Sequence, residues 1–213
     1  MKKFYCLFAV LTLLFPLSAI LAEDLSLKSN DEGWVSIFNG KDLDGWKMND
    51  TQGEFYVNDE GEIAGKGGRC HLFYMEELKN FELKIDVYIN DKGNSGVYVL
   101  SPWVDNNWPT GGFELQVNST HTDPVKTASI YEILELFESP VPADTWFTYH
   151  IIVKDGKMTV RVNNKTLYTY RDPMGKDGVP GIKHIGQKGH IALQQHDPGS
   201  LPRFKNILLK KLP

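Results

Sequence analysis

The stretch "FELKIDVYI" (residues 81–89) alternates apolar and polar side chains along its whole length. Its apolar members, which would share one face of a strand, are Phe81, Leu83, Ile85, Val87 and Ile89. Its polar members, which would share the other face, are Glu82, Lys84, Asp86 and Tyr88. A period of two residues predicts a β-strand with one buried face.

Further short runs of this kind follow along the chain. They predict strands at 96–100, 113–117, 148–154, 158–162, 166–170, 190–195 and 206–212. Asp155-Gly156 and Asn163-Asn164 are hairpin turn signals between three of them. Helical periodicity is nearly absent, and residues 129–138 form either one short helix or a strand within a loop. The sequence therefore predicts an all-β fold, an antiparallel β-sandwich of the jelly-roll kind, concanavalin A-like or laminin-G-like.

The N-terminus has the layout of a secretory signal peptide over residues 1–22. Lys2 and Lys3 precede an apolar run, and small residues end at Ala22. We expect residues 23–33 to form a flexible leader and residues 34–213 to form a single domain. The bacterial type of the signal predicts a secreted or periplasmic protein, free or attached to the cell surface, with no transmembrane segment in the mature chain.

Charge and cysteine content limit the class of protein. The formal net charge is −4, and removal of Lys2 and Lys3 with the leader makes it more negative, which argues against nucleic acid as a partner. Cys70 is the one cysteine after the leader, so the mature chain forms no internal disulfide.

Motifs for nucleotides and metals are missing from the sequence. The glycines at 61–68 match neither the dinucleotide fingerprint nor the P-loop. The six histidines show no spacing typical of zinc ligands. We expect no cofactor, and a divalent metal assembled from distant strands stays open.

Two predicted strands carry rows of polar side chains that point away from the core. If Phe113, Leu115 and Val117 face inward, the opposite face presents Glu114, Gln116 and Asn118. By the same logic Ile191 and Leu193 face inward, and the opposite face presents Ala192, Gln194 and His196. Gln195 would return to the core side at the strand end, where it reaches water.

A solvated outer sheet explains either row by itself. Glutamine, asparagine, histidine and a single glutamate, however, are side chains that bind sugar hydroxyls in a concave sheet. Trp103 and Trp108, in a loop, suit stacking on sugar rings. Trp34, Trp46 and Trp146 lie beside apolar strand residues and are predicted to be core.

Ordinary hydrolytic signatures are absent from these strands. A two-carboxylate glycosidase would place a second acid two or four residues after Glu114, where Gln116 and Asn118 stand. No G-x-S-x-G motif for a serine nucleophile occurs.

Five collinear stretches resemble the 3-keto-disaccharide hydrolase domain family, formerly a domain of unknown function with a concanavalin-like jelly-roll fold. They are "WVSIFNGKDLDGWK" (34–47), "NFELKIDVYINDKGNSGVYV" (80–99), "GGFELQV" (111–117), "KTASIYEI" (126–133) and "GHIALQQHDPGSLPRFKNILLKKL" (189–212). One departure is Leu100-Ser101, where the family pattern has a basic residue, and it implies a lost substrate contact or a changed substrate.

The resemblance implies a glycoside-cleaving enzyme that acts on sugars oxidised at carbon 3. The ketone acidifies the hydrogen on carbon 2, so one general base and donors to the enolate oxygen suffice for elimination, followed by hydration. His196 is the first candidate for the base, because imidazole titrates in the working range. Glu114 is the alternative base or the residue that orients His196 or a sugar hydroxyl.

The remaining candidates would bind the sugar. Gln116 and Gln194 would bind hydroxyls or the carbonyl oxygen, and Arg69 or Lys126 would bring positive charge to the enolate. Asn94 belongs either to a substrate contact or to a tight turn, and Tyr131 is either a donor or a buried aromatic. The alternative function is a non-catalytic carbohydrate-binding module that uses Trp103, Trp108 and the same polar rows; a weaker one is a surface domain that adheres to other proteins through its loops.

Overall fold

The computed structural model describes residues 32–171 and 185–213. Within these ranges thirteen strands and no helix are found. They are β1 (Val35–Ser36), β2 (Trp46–Met48), β3 (Gly53–Val57), β4 (Ile63–Gly67), β5 (Cys70–Leu78), β6 (Phe81–Tyr88), β7 (Ser95–Ser101), β8 (Phe113–Val117), β9 (Phe147–Lys154), β10 (Lys157–Val162), β11 (Lys165–Arg171), β12 (Gly189–Gln195) and β13 (Arg203–Lys211). The predicted signal peptide and most of the predicted leader lie outside the described residues.

The strands form two antiparallel sheets. The large sheet has the order β11-β10-β9-β6-β13-β4-β3, with β1 paired to β13, and the small sheet has the order β2-β5-β12-β7-β8. Side chains from both sheets, such as Leu83 and Ile85 on β6 and Leu115 on β8, belong to one buried cluster. The sheets therefore pack face to face, which confirms the predicted all-β antiparallel sandwich.

Local sequence signals account for the best-predicted strands. Phe81, Leu83, Ile85 and Val87 are fully buried while the residues between them are half-buried, as the alternation of β6 predicts. The hairpin turns after β9 and β10 have positive φ at both central residues, 50° and 71° at Asp155-Gly156 and 48° and 64° at Asn163-Asn164. These are the turns that match the twist of the paired strands, so both turn predictions are confirmed.

Two expectations, for residues 129–138 and for Trp146, are corrected by the fold. Residues 129–138 form neither helix nor regular strand; Ile130 makes isolated bridges to Leu115 and Leu134. Trp146 is half-buried on the outer face of the large sheet, beside Tyr88, whereas Trp34 and Trp46 are buried as predicted.

No helix within 32–171 or 185–213 has the length and apolar character needed to cross a bilayer.

Gln195 is fully buried instead of reaching water. Its amide nitrogen donates to the carbonyl oxygens of Gly67, Asp197 and Ser200, at 2.9, 2.7 and 3.1 Å. The side chain thus ties the end of β12 to its own following turn and to β4, which fixes where His196 begins its loop.

Candidate active site

A cleft of about 310 Å³ opens on the outer face of the small sheet. Most of the residues predicted for the site line it, namely Asn94, Trp108, Glu114, Gln116, Tyr131, Gln194 and His196. The cleft also contains four residues that sequence reasoning missed, namely Tyr98, Pro109, Asp123 and Glu132. His196, which follows β12, and Glu114, on β8, therefore share one surface.

His196 stands immediately after β12 and is held by its neighbour in the chain. Its Nδ1 lies 2.7 Å from Oδ2 of Asp197. Burial raises the pKa of Asp197, but hydrogen bonds from His196, the Gly199 amide and Ser200 outweigh it, and the net pKa is lowered. An ionised carboxylate only accepts, so Nδ1 carries the hydrogen and Nε2 keeps the lone pair of a base.

A second histidine stands on the other side of Asp197. The backbone amide of Asp123 donates to Nδ1 of His121 at 3.0 Å, which leaves the hydrogen of the neutral ring on Nε2. That Nε2 is 3.8 Å from Asp197 Oδ2, and the two imidazole centroids are 5.8 Å apart. Asp197, rather than Glu114, is therefore the carboxylate that orients His196.

Glu114, on β8, accepts hydrogen bonds on both carboxylate oxygens. The Tyr98 hydroxyl donates to Oε2 at 2.7 Å, and the Gln194 amide donates to Oε1 at 3.0 Å. Burial first, and then the charge of Glu114, raises the pKa of Tyr98 far above its ordinary value, so this hydroxyl keeps its hydrogen. Tyr98 alternates with the core residues Val97 and Val99 on β7, a signal that could have identified it from the sequence.

The second glycine of the G-N-S-G stretch, Gly96, makes room for the Glu114 side chain. A Cβ placed on Gly96 would lie 2.5 Å from Glu114 Oε1 and 3.0 Å from Glu114 Cγ. Both distances are shorter than van der Waals contact. A side chain at residue 96 would therefore push Glu114 off its two donors.

Asn94 and Ser95, in the same stretch, have different partners. Asn94 is buried in the cleft floor and accepts from the Gln116 amide at 3.2 Å. The Asn94 backbone amide donates to the Ser200 hydroxyl at 2.8 Å, and that hydroxyl donates to Asp197. The Ser95 hydroxyl donates to the backbone carbonyl of Gln194 at 2.6 Å, which fixes β7 against β12.

Arg69 lies outside the cleft lining, where it supports Trp108. It forms a salt bridge of 2.8 Å with Asp50, and this interaction lowers the pKa of that carboxyl. It also donates to the Asn107 side chain at 3.1 Å, and its guanidinium lies 5.4 Å from the Trp108 ring. Its charge is thus already paired, and the predicted contact of Arg69 with an enolate has no geometric support.

Lys126 and Trp103 also lie outside the lining. The Lys126 ammonium donates to the carbonyls of His121 and Asp123, at 2.7 Å each. Trp103 packs edge-on against Phe73, with ring centroids 5.0 Å apart, and the ammonium of Lys47 lies 4.3 Å from the centroid of its ring. Both residues hold loops that border the cleft.

The loop after β8 carries Asp123, Tyr131 and Glu132 to the cleft. Asn118, predicted to face a ligand, is fully buried and donates to the carbonyls of Asp123 and Val125 at 3.0 and 2.8 Å. The backbone amide of Tyr131 donates to the backbone carbonyl of Glu114 at 3.0 Å, which ties this loop to β8. The cleft therefore contains the carboxylates of Asp123 and Glu132 besides Glu114, although no acid stands two or four residues after Glu114 on β8.

Two tyrosines of the large sheet anchor this loop from below. The hydroxyl of Tyr149 accepts from the backbone amide of Ala128 at 2.7 Å and donates to the backbone carbonyl of Gln116 at 2.6 Å. The hydroxyl of Tyr168 donates to the Ala128 carbonyl. Ala128 is thereby held at a φ of 72°, a left-handed conformation that costs an alanine about 1 kcal/mol.

No group of three or more histidine, cysteine, aspartate or glutamate side chains within the two described ranges is arranged to hold a metal ion. In the His121–Asp197–His196 cluster, His196 is hydrogen-bonded to Asp197, and His121 lies beside both residues.

Comparisons with known proteins find a matching family and a curated relative. A family model, the 3-keto-alpha-glucoside-1,2-lyase-like domain, matches residues 33–210. A 3-keto-disaccharide hydrolase of Bacteroides thetaiotaomicron is 24% identical to the chain, over 92% of this chain and 84% of that protein.

Solved structures share the architecture. A candidate glycosyl hydrolase from Parabacteroides distasonis superposes with a TM-score of 0.72 at 25% identity, over 85% of this chain and 95% of that chain. The carbohydrate binding module CBM66 of Bacillus subtilis superposes with a TM-score of 0.58 at 13% identity, over 78% of this chain and 96% of that chain. The second likeness is one of fold alone.

Proposed function

Because the chain belongs to the 3-keto-alpha-glucoside-1,2-lyase-like family, we propose that it cleaves glycosides whose sugar ring carries a ketone at carbon 3. The chain is an enzyme, a hydrolase or lyase. The proposal concerns its substrate and its chemistry. The observation that carries it is the pairing of His196 with Asp197, which leaves a basic Nε2 beside the polar floor of the cleft.

The proposed reaction begins with proton transfer. Nε2 of His196 takes the hydrogen of carbon 2, and the electron pair of that C–H bond forms a carbon 2–carbon 3 double bond while the ketone becomes an enolate. The enolate then collapses, a carbon 1–carbon 2 double bond forms, and the bond from carbon 1 to the leaving oxygen breaks. The leaving oxygen takes a proton from the His196 imidazolium, which restores the base.

Hydration completes the proposed cycle. Water adds its hydroxyl to carbon 1 and a hydrogen to carbon 2, so the overall change is hydrolysis to a free 3-keto sugar and an alcohol. These steps use one base and hydrogen bonds, and we expect activity to survive dialysis against EDTA.

The role of Glu114 follows from its hydrogen bonds. Both of its oxygens accept from protein donors, Tyr98 and Gln194. We assign Glu114 the task of holding these two side chains in place on the cleft floor.

A second candidate function is ordinary two-carboxylate glycosidase chemistry. It is favoured by one observation, the presence of Asp123 and Glu132 in the cleft with Glu114. Such an enzyme cleaves an unoxidised glycoside, whereas elimination requires the ketone.

The experiment that separates the two uses a matched pair of substrates. A 4-nitrophenyl glucoside and its 3-keto derivative are incubated with the enzyme, and release of nitrophenol is followed. We expect release from the keto substrate alone and its loss in His196→Gln. The matched control is His150→Gln on the large sheet, where an amide can replace the bond to Glu82, and it should keep full activity. Equal release from both substrates would contradict the proposal.

We propose further that the enzyme acts outside the cytoplasm, on the basis of the leader predicted at residues 1–22. Mass spectrometry of protein from the periplasm or medium should find an N-terminus at Glu23. An intact N-terminus on cytoplasmic protein would contradict this.

A further inference from the structure

Three polar side chains cross the floor of the small sheet and are closed to solvent. His71 on β5 pairs in register with Gln194 on β12, and Gln116 on β8 pairs with Gly96 on the intervening strand β7. The exposed fractions of His71, Gln194 and Gln116 are 0%, 1% and 2%. We refer to these three residues as the polar row.

Each member of the polar row has polar atoms without a hydrogen-bond partner among the described residues. They are both ring nitrogens of His71 and the Oε1 atoms of Gln194 and Gln116. The amide of Gln194 has no alternative orientation, because its nitrogen donates to the Glu114 carboxylate, which only accepts. Buried polar groups left unpaired are costly, and several together in one place require an explanation.

The rings around His71 indicate how the polar row could open. Tyr98 and Trp108 stand edge-on to the imidazole, with centroids 5.4 and 5.5 Å away, and Phe73 lies at 6.5 Å. Phe73 and Tyr98 belong to strands and are buried, whereas Trp108 belongs to a loop and is 37% exposed. The ring centroids of Trp108 and His196 are 5.2 Å apart, so the indole stands between His71 and the proposed base. Trp108 is therefore the ring that can move without breaking the sheet.

The two cations predicted to stabilise the enolate oxygen are held by other groups. Arg69 is paired with Asp50, and the ammonium of Lys126 is bound by two carbonyls. Burial, and then the nearby charge of Arg69, lowers the pKa of His71 to about 3, so the ring is neutral at working pH. A neutral imidazole offers one N–H donor and one acceptor, and such a ring can act as the electrophilic donor to a carbonyl.

We propose that substrate displaces the Trp108 indole and that the polar row then binds the oxidised sugar, with a ring nitrogen of His71 donating to the ketone oxygen and the Gln194 and Gln116 oxygens accepting from neighbouring hydroxyls. This rests on the proposed function. It makes His71 a catalytic residue that stabilises the enolate, and the amide oxygens select a neutral sugar with hydroxyls beside the ketone.

The test uses His71→Phe, which keeps a ring of similar size and removes both nitrogens. We expect kcat on the 3-keto glucoside to fall at least tenfold. The melting temperature should stay the same or rise, because two unpaired buried atoms are removed. His71→Gln, which keeps a donor and an acceptor, should recover part of the lost kcat. A His71→Phe enzyme with wild-type kcat and KM would overturn the proposal.

Movement of Trp108 is measured separately by tryptophan fluorescence. Titration with the 3-keto disaccharide should change the emission of the wild type, and Trp108→Phe should lose this change. A titration that leaves the wild-type emission unchanged while the substrate is cleaved would overturn the displacement of Trp108.

The two proposals fail in different ways. An enzyme that binds the keto disaccharide with the Trp108 signal, and loses affinity in His71→Phe, but never cleaves it, contradicts the proposed function and supports the polar row as a sugar site. An enzyme that cleaves the keto substrate equally well with and without His71 contradicts the polar row alone.

Discussion

The imidazole of His196 and the carboxylate of Asp197 are joined at 2.7 Å although they are neighbours in the chain. Side chains of adjacent residues in a strand point to opposite faces, so this contact exists only because β12 ends at Gln195 and the chain turns. Gly199 and Ser200 donate to the same carboxylate and complete that turn. A local loop thus holds the proposed base in one tautomer.

Asp197→Asn should therefore lower activity through His196. An amide can donate to Nδ1 and so favours the wrong tautomer, and we expect kcat/KM to fall by about 10²–10⁴-fold. The matched control is Asp59→Asn, at an exposed aspartate between β3 and β4 of the large sheet. Steady-state kinetics of the two variants measure the effect. Wild-type kcat/KM in Asp197→Asn would show that Asp197 does not orient the base.

Gly96→Ala should disturb the site more than the fold. The new Cβ would meet the end of the Glu114 side chain, which must leave Tyr98 and Gln194. We expect kcat/KM to fall by about tenfold or more, with a loss of about 1–2 kcal/mol in the free energy of unfolding as two hydrogen bonds break. Urea titration and kinetics measure the two effects. The control is Gly186→Ala, where the added Cβ would meet no atom within 4 Å, and it should change neither kcat/KM nor the free energy of unfolding. Equal behaviour of the two variants would contradict this account.

Tyr149→Phe should loosen the loop that brings Tyr131 to the cleft. Loss of the hydroxyl removes its hydrogen bonds with the backbone amide of Ala128 and the backbone carbonyl of Gln116, which stay bonded to each other at 3.0 Å. The two lost bonds should lower the free energy of unfolding by about 1–2 kcal/mol. Tyr56→Phe, at an exposed position, should be neutral. Denaturant titration measures both, and a neutral Tyr149→Phe would mean that the hydroxyl does not anchor the loop.

His71 should make the protein less stable in acid. Its pKa falls from 6.5 in the unfolded chain to about 3 in the folded protein, so below pH 6.5 the unfolded state binds a proton that the folded state refuses. The stability that depends on the neutral ring is present above pH 6.5 and is lost as the pH falls toward 3. Between pH 6.5 and 4.5 the loss is about 2 kcal/mol.

His71→Phe removes this titration, so its loss of stability over the same pH interval should be smaller than that of the wild type by that amount. Urea midpoints of the two proteins at both pH values provide the comparison. Parallel losses would show that His71 is protonated in the folded protein.

Sequence patterns predicted the strands whose structure is decided locally. The alternation at 81–88 and the paired turn residues Asp155-Gly156 need no distant partner to be recognised. The segment 35–78 gave no such signal, because its strands are short and Cys70 to Phe73 on β5 are buried on both faces. A strand covered on both sides shows no alternation.

The sequence predicted most of the residues that line the candidate site, but it missed Tyr98 on β7 and three loop residues, Pro109, Asp123 and Glu132. Glu114 and Gln194 follow from period-two alternation, and both line the cleft. Asp123 and Glu132 reach the cleft through a loop whose position depends on Tyr149 and Tyr168 of the other sheet. Arg69 looked like a free cation because its partner Asp50 is nineteen residues away in the chain. Contacts of that range leave no periodic mark on a single sequence.

The central claim is that His196 removes the hydrogen of carbon 2 from a 3-keto glycoside, and the product formed in deuterium oxide tests it directly. Elimination followed by hydration places one solvent deuterium on carbon 2, which mass spectrometry of early product detects. Product incubated without enzyme corrects for spontaneous exchange. The account predicts one deuterium per turnover by the wild type and no turnover by His196→Gln. Product that forms without deuterium at carbon 2 would contradict it, because the glycosidic bond would then break without loss of that hydrogen.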